Sequence, residues 1–223
     1  KRHSSSQSNF PMSGPANVRN MPTHPKEKIV AELEILLQEG NVEGALHLID
    51  SLPPKLKHEP FMRFTYAAAL MEYGDMEQSG EVLLELQKQY PRFVEVNLPL
   101  AGWYLMHAWA AHATRAAQKI LNIRDFDAMG RETAQSVIND AKIKLHALAE
   151  ELNISLDKVE QACWHDENGQ MAALDFNHTE AEYQARQALK IAPHWTSAHN
   201  NHAYASYFLG RCSDAIKECE GVL

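Results

Sequence analysis

From Pro25 onward the apolar residues recur at helical spacing. Ile29, Leu33, Leu36 and Leu37 form one stripe, and Ala45, Leu48, Ile49 and Leu52 form the next. Between them lies Glu39-Gly40-Asn41. Glycine accepts the left-handed backbone that ends a helix and reverses the chain. The pattern therefore predicts a helical hairpin over 26–52, stopped by Pro53-Pro54. The same grammar returns downstream. Residues 64–73 are apolar, Gly74-Asp75 turns, residues 82–86 are apolar again, and Pro91 stops the helix.

Gly40 and Gly74 are 34 residues apart, and further steps of 34 reach Ala108, Lys142, Phe176 and Gly210. Three other columns keep this spacing. One reads Ala45, Ser79, Ala113, Ala147, Ala181 and Ala215. A second reads Leu33, Ala67, Ala101, Gln135, Gly169 and Ala203, and a third Leu52, Leu86, Ile120, Ile154, Ala188 and Val222. Pro91 and Pro193 are three periods apart. Small residues let the helices of a hairpin approach closely, and large apolar residues a turn away fill the seam. One hairpin cannot bury its apolar face alone, so such repeats must stack.

The 34-residue period, the turn glycine, the small residue early in the second helix and the closing proline resemble the tetratricopeptide repeat. Residues 198–223 match best, at Ala203, Gly210, Ala215 and Ile216. The preceding Ala188-Leu189-Lys190-Ile191-Ala192-Pro193 matches equally well. The resemblance implies an all-α, right-handed α-solenoid of antiparallel helix pairs. It places repeats near 26–59, 60–93, 94–127, 128–161, 162–195 and a truncated 196–223, after a flexible leader, 1–25. The 128–161 repeat is degenerate. Residues 132–152 hold no Gly or Pro, and Lys142 stands where a turn belongs, so one long helix of about 20 residues is an alternative there.

Composition narrows the function. The chain has 223 residues, is 45% hydrophobic and carries a formal net charge of -8. Global disorder is excluded. The acidic balance argues against a non-specific binder of nucleic-acid backbone, and no apolar run reaches the roughly 20 residues of a membrane helix. Three cysteines without C-x-x-C spacing suggest neither a disulfide framework nor a zinc site. A reducing, cytoplasmic setting is the expectation. The chain starts at Lys1 and stops at Leu223 within an expected helix, which reads as a fragment of a longer protein.

Candidate chemistry is sparse. Residues 148–162 resemble a DNA-reading helix-turn-helix, but Asp157 and Glu160 would repel phosphates, and an αα-turn with Ser155 as N-cap explains the segment as well. His199 and His202 lie one turn apart near His194, yet no further ligand completes a zinc set. Cys163-Trp164-His165-Asp166 could suggest an activated thiol, but adjacent helical residues point apart. No catalytic residue, metal or cofactor is expected.

In the family that the chain resembles, the first helix of each pair lines a concave surface that holds a partner segment. Carried over by register, that surface would include Phe61, Phe64, Ala68, Met71, Glu72, Glu95, Leu98, Leu105 and Met106. Further along it would include Asp166, Gln170, Asn200, Tyr204, Tyr207 and Phe208. The full register covers thirty positions, these fifteen among them; with Glu27, Glu34, Glu132 and Asp140 it holds seven acids and no Lys or Arg. A clamp for a chaperone's C-terminal carboxylate would need those cations, and only Asn200 and Asn201 resemble one. The expected function is a non-enzymatic scaffold for a protein or peptide with apolar anchors and some positive charge. The alternative is a targeting module of a larger enzyme such as a transferase, with DNA binding through 148–162 behind both. A final stripe of Ala215, Ile216, Cys219 and Val222 would call for further repeats or self-association.

Overall fold

The computed structural model describes residues 25–220, with side chains from residue 28 onward. The expected leader lies outside the described residues but for Pro25, and so does Val222. Among the described residues there are twelve α-helices, a short 3-10 turn and no strand. The first helices are α1 (Pro25–Gln38), α2 (Val42–Ser51), a one-turn α3 (Pro54–Lys57), α4 (Pro60–Tyr73), α5 (Met76–Gln89) and, after the 3-10 turn, α6 (Asn97–Met106). Then come α7 (Ala110–Leu121), α8 (Ala128–Leu152), α9 (Leu156–Leu174), α10 (His178–Ile191), α11 (Thr196–Phe208) and α12 (Cys212–Glu220). None of the described helices is long and apolar enough to cross a membrane.

Left-handed backbone marks the period. Gly40, Gly74, Ala108, Phe176 and Gly210 have φ of 72°, 96°, 61°, 56° and 78°. At each, the turn residue's amide donates to the carbonyl three residues back, and the next amide donates five residues back. Asn41 N–H to Leu36 O and Asn177 N–H to Ala172 O, both 2.8 Å, are examples. This is the Schellman closure of a helix. At Ala108 and Phe176 the conformation has a Cβ to accommodate, a cost of about 1–2 kcal/mol each.

At three of these turns the next residue caps the new helix. The side chains of Asn41, Asp75 and Asn177 accept from the amides of Gly44, Gln78 and Glu180, at 3.0, 3.1 and 3.2 Å. Each satisfies an otherwise orphaned N–H of the following helix.

Lys142 breaks the period. It sits inside α8, which runs 25 residues without a break, about 37 Å at 1.5 Å per residue. Ile143 follows it and offers no cap. The chain turns instead at Asn153, with φ 51°. The small-residue columns lose their meaning here. Ala147 and Gln135 are both exposed, which corrects the expectation that Ala147 packs like its five counterparts. The buried stripe of α8 is Ala134, Val137, Ile138, Ala141 and Leu145.

The chain forms two compact units. The first ends at Leu100 and regains Ile123–Thr133; the second comprises Ala101–Asn122 and the chain from Ala134 onward. The first unit is centred on Leu33, Ala45, Ile49, Leu52 and Met62, packed by Ile29, Leu36, Leu37, Leu48 and Tyr66. Its α4 and α5 touch where the columns meet, and Ser79 Oγ donates to Ala67 O at 2.8 Å. In the second unit the same two columns meet three periods later. A Cβ added at Gly169 would lie 3.3 Å from Ala181 O, so glycine permits the close approach of α9 and α10. There α10 also packs against α11, α11 against α12, and α7 against α9.

Candidate functional site

The expected groove residues divide between the two units. In the first, Phe61 is 39% exposed, Glu72 and Glu95 are exposed, and Phe64 and Ala68 are half-buried. Phe64 meets Phe93 edge-on with ring centroids 5.5 Å apart. Met71 and Leu98 are buried in the unit's core. In the second unit Met106 is 61% exposed, Leu105 is half-buried and Asn200 is exposed. Tyr204 and Tyr207 are exposed beside Phe208. Tyr204 and Phe208 have centroids 4.7 Å apart, and His178 stacks on Phe208 at 4.6 Å. Phe176 is held outward by its left-handed turn, 84% exposed.

The most connected polar site lies where α7 meets α9. Trp109, at the N-cap of α7, makes no side-chain cap bond. Glu167 of α9 supplies it instead. Its Oε1 accepts from Ala111 N–H at 2.9 Å, and its Oε2 accepts from His112 N–H at 2.8 Å. His112 Nδ1 lies 2.6 Å from the same Oε2. A carboxylate at a helix N-terminus is favoured by the dipole as well as by the bonds. His112 stacks on Trp164 at 4.0 Å, and the Arg115 guanidinium carbon lies 3.7 Å from the Trp164 ring centroid. Tyr104 is close by; burial, assisted by the Glu167 charge, pushes its hydroxyl up to about 12.

Asp166 stands beside Glu167 and is 2% exposed. Its Oδ1 accepts from Asn201 Nδ2 at 2.7 Å. Its Oδ2 accepts from Gln170 Nε2 at 2.8 Å and Ser197 Oγ at 3.1 Å. Burial holds the carboxyl above its ordinary range even though all three donors favour the charge. Gln170 Oε1 accepts from Trp109 Nε1 at 2.8 Å, so Trp109, Gln170 and Asp166 form one hydrogen-bonded row. These side chains line a cavity of about 230 Å³.

Cys163 lies in the same wall, buried, and burial pushes its thiol well up, with Glu167 and Asp166 adding to the shift. That is the opposite of thiol activation. His165 turns away to Gln184, Nδ1 to Oε1 at 2.7 Å. The Cys163–Asp166 run therefore assembles no nucleophile and base.

His199 and His202 converge on one carboxylate of α12. His199 Nδ1 is 2.6 Å from Glu218 Oε2, and His202 Nδ1 is 3.0 Å from Glu218 Oε1. Glu182 of α10 pairs with Arg186 at 2.5 Å and with Arg211. These bonds clasp α10, α11 and α12 together. Among the described residues no three His, Cys, Asp or Glu side chains are placed to hold a metal.

The 148–162 segment is the junction of α8 and α9. Ser155 occupies the N-cap with extended backbone, but its hydroxyl makes no cap bond. Asp157 and Lys158 are both exposed there. Of the α12 stripe, Ala215 is buried and Ile216 and Cys219 are exposed.

Glu167 is the residue that sequence reasoning missed. The available signal was Trp109, an uncapped residue where Asn41, Asp75 and Asn177 stand in other repeats.

Turns, columns and helix pairs together define an all-α helical-repeat protein with tetratricopeptide-like hairpins. No family model and no curated protein matches the chain. Solved structures similar to it include MamA 41-end from Desulfovibrio magneticus RS-1, at 14% identity over 88% of this chain and 92% of that one, TM-score 0.46. Another is the TPR2AB-domain:pHSP90-complex of yeast Sti1, at 17% identity over 88% and 76%, TM-score 0.45. A third is TTC0263, a thermophilic TPR protein of Thermus thermophilus, at 18% identity over 89% and 90%, TM-score 0.32. All three scores lie below 0.5, so the class rests on the chain's own turns and pairs.

Proposed function

We propose that the chain is a non-enzymatic interaction scaffold that binds a protein segment with apolar anchors and some positive charge. The supporting observation is the set of exposed rings and thioethers on first helices of the hairpins. These are Phe61 on α4, Met106 on α6, and Tyr204 and Tyr207 on α11. Of these, Tyr204 and Tyr207 adjoin the exposed ring of Phe208, and a contiguous exposed apolar patch is a mark of an interaction site. Aromatic residues are efficient anchors because they bury much area for few rotatable bonds. Glu72 and Glu95 lie exposed on the same register, and the net charge of -8 favours approach of a basic partner. A reducing cytoplasm suits the exposed thiols of Cys212 and Cys219.

The test selects a displayed random-peptide library on the full chain. Enriched peptides should combine an apolar residue with Lys or Arg. The double substitution Tyr204→Ser, Tyr207→Ser should weaken them at least tenfold. Ile143→Ser, at an exposed apolar site on α8 away from that register, should not. No enrichment over an unrelated protein, or equal losses from both variants, would overturn the reading.

A further inference from the structure

We propose that the cleft beside Asp166 receives one basic side chain, a lysine or an arginine, of a bound segment. The proposal rests on the scaffold reading and names the chemistry of one contact within it.

Size comes first. The cleft measures about 230 Å³. Pockets for drug-sized ligands run to about 300–1,000 Å³. This one suits a single long side chain rather than a helix or a cofactor.

Charge comes second. The two carboxylates of the cleft differ in what neutralises them. Glu167 is satisfied by two amides at the N-terminus of α7 and by His112. Asp166 has only neutral donors, and among the described residues no cation lies within ion-pair distance of it. An ionised carboxylate offers about four acceptor positions. Three are used, and Oδ1 has a single donor. A buried charge without a counter-charge is unfavourable until a partner supplies one. The first unit shows the contrast. Its own cleft, about 190 Å³, also contains a carboxylate, Asp50, but Lys57 pairs with it at 3.3 Å. Asp50 is also largely exposed to solvent, whereas Asp166 is buried.

The walls come third. Trp109 and Trp195 line the cleft with Leu145 and Leu148. Indole faces attract ammonium and guanidinium groups, and the leucines suit an alkyl stem. Trp109 is pinned by its bond to Gln170, which is itself bonded to Asp166. Ring and carboxylate are thus positioned before a ligand arrives, which limits the ordering cost of binding. Lys144 of α8 also borders the cleft, is exposed, and makes no ion pair with Asp166. It stands as the internal competitor.

The experiment titrates the full, isotopically labelled chain with Nα-acetyl-lysine amide, Nα-acetyl-arginine amide and uncharged Nα-acetyl-norleucine amide. The Trp109 and Trp195 indole N–H resonances report occupancy. Saturable shifts with the lysine or arginine amide are expected, with norleucine at least tenfold weaker. Asp166→Asn, which keeps the shape and removes the charge, should weaken the basic amides at least tenfold, and Lys144→Ala should strengthen them. Equal responses to lysine and norleucine on the unaltered protein overturn the proposal, whatever the variants do. Undiminished lysine binding by a folded Asp166→Asn protein overturns it too. If selected peptides bind but are indifferent to replacement of their basic residues, the cleft proposal fails and the scaffold reading survives. If no peptide binds while lysine amide still fills the cleft, the scaffold reading fails and the cation site stands.

Discussion

Phe176 and Lys142 occupy the same position in the 34-residue period, and the chain does opposite things at them. At Phe176 it reverses in a left-handed turn, although the residue is bulky and strained there. At Lys142 it stays helical within α8. Neither residue is a turn former, so the difference lies in their neighbours. Asn177 caps the next helix through Glu180 N–H, and Gly169 and Ala181 let α9 and α10 close together. Beside Lys142 stands Ile143, 68% exposed, which can cap nothing. A period in small residues is therefore permissive. At Phe176 a cap and a close helix contact accompany the turn, and Lys142 has neither.

Substitutions at these turns and caps should separate the two behaviours. The largest effect is expected at Ala108–Trp109, where the cap comes from another helix. Glu167→Ala strands two amides of α7 and the buried His112, and should cost about 3 kcal/mol in urea unfolding. A loss no greater than an ordinary surface substitution would show that Glu167 does not act as that cap. Next come two glycine substitutions of opposite sign. Phe176→Gly relieves the left-handed strain and should stabilise by about 0.5–1 kcal/mol. Lys142→Gly weakens an uninterrupted helix and should cost about 1 kcal/mol. Shifts of the same sign would refute the contrast between the two sites.

A third pair separates a working cap from an occupied cap position. Asn177→Ala should cost about 1 kcal/mol, and Ser155→Ala less than about 0.5 kcal/mol, because only Asn177 makes the bond. Thermal unfolding of the two variants side by side decides it.

The smallest effect is a pH dependence of the clasp on α12. At His199, burial opposes the charge, but the Glu218 carboxylate and the Pro193 carbonyl outweigh it and raise the pKa above 6.5. That contribution is complete below about 6.5 and is lost as pH rises through the raised value. Glu218 and Glu182 have the reverse sign. Burial disfavours their charge, but His199 and His202 at Glu218, and Arg211 and Arg186 at Glu182, hold both below 4.5. Their contributions are present above 4.5 and fade as pH falls. Amide protection in α12, corrected for intrinsic exchange, should peak between these limits and decline toward pH 8. Protection that rises steadily to pH 8 would exclude the clasp.

Much of the local architecture was legible from residue order. Gly40, Gly74 and Gly210 announce their turns, and Pro53, Pro91 and Pro193 follow helices that end two residues earlier. Ala147 was misleading. It keeps its column in the sequence while α8 turns a different stripe inward. One alanine carries no information about which face is buried; the surrounding Val137, Ile138, Ala141 and Leu145 do. For the site, Tyr204, Tyr207, Met106 and Phe61 stand exposed, whereas Met71 and Leu98 are drawn into the core. Helical register alone cannot separate a groove position from a core position one turn away, because both belong to the same apolar stripe.

Residue order sets the helical period, the hairpin as the repeating element, and the places where backbone chemistry forces a reversal. Those are local properties, set by residues within a few positions of one another. The tertiary structure alone decided what lies between distant segments. Glu167 caps a helix that begins more than 50 residues earlier in the chain, and Asp166 draws its donors from α9 and α11 together. A carboxylate reads the same in sequence whether solvent, a helix terminus or a cleft wall surrounds it. Only packing sets its surroundings, and with them its chemistry.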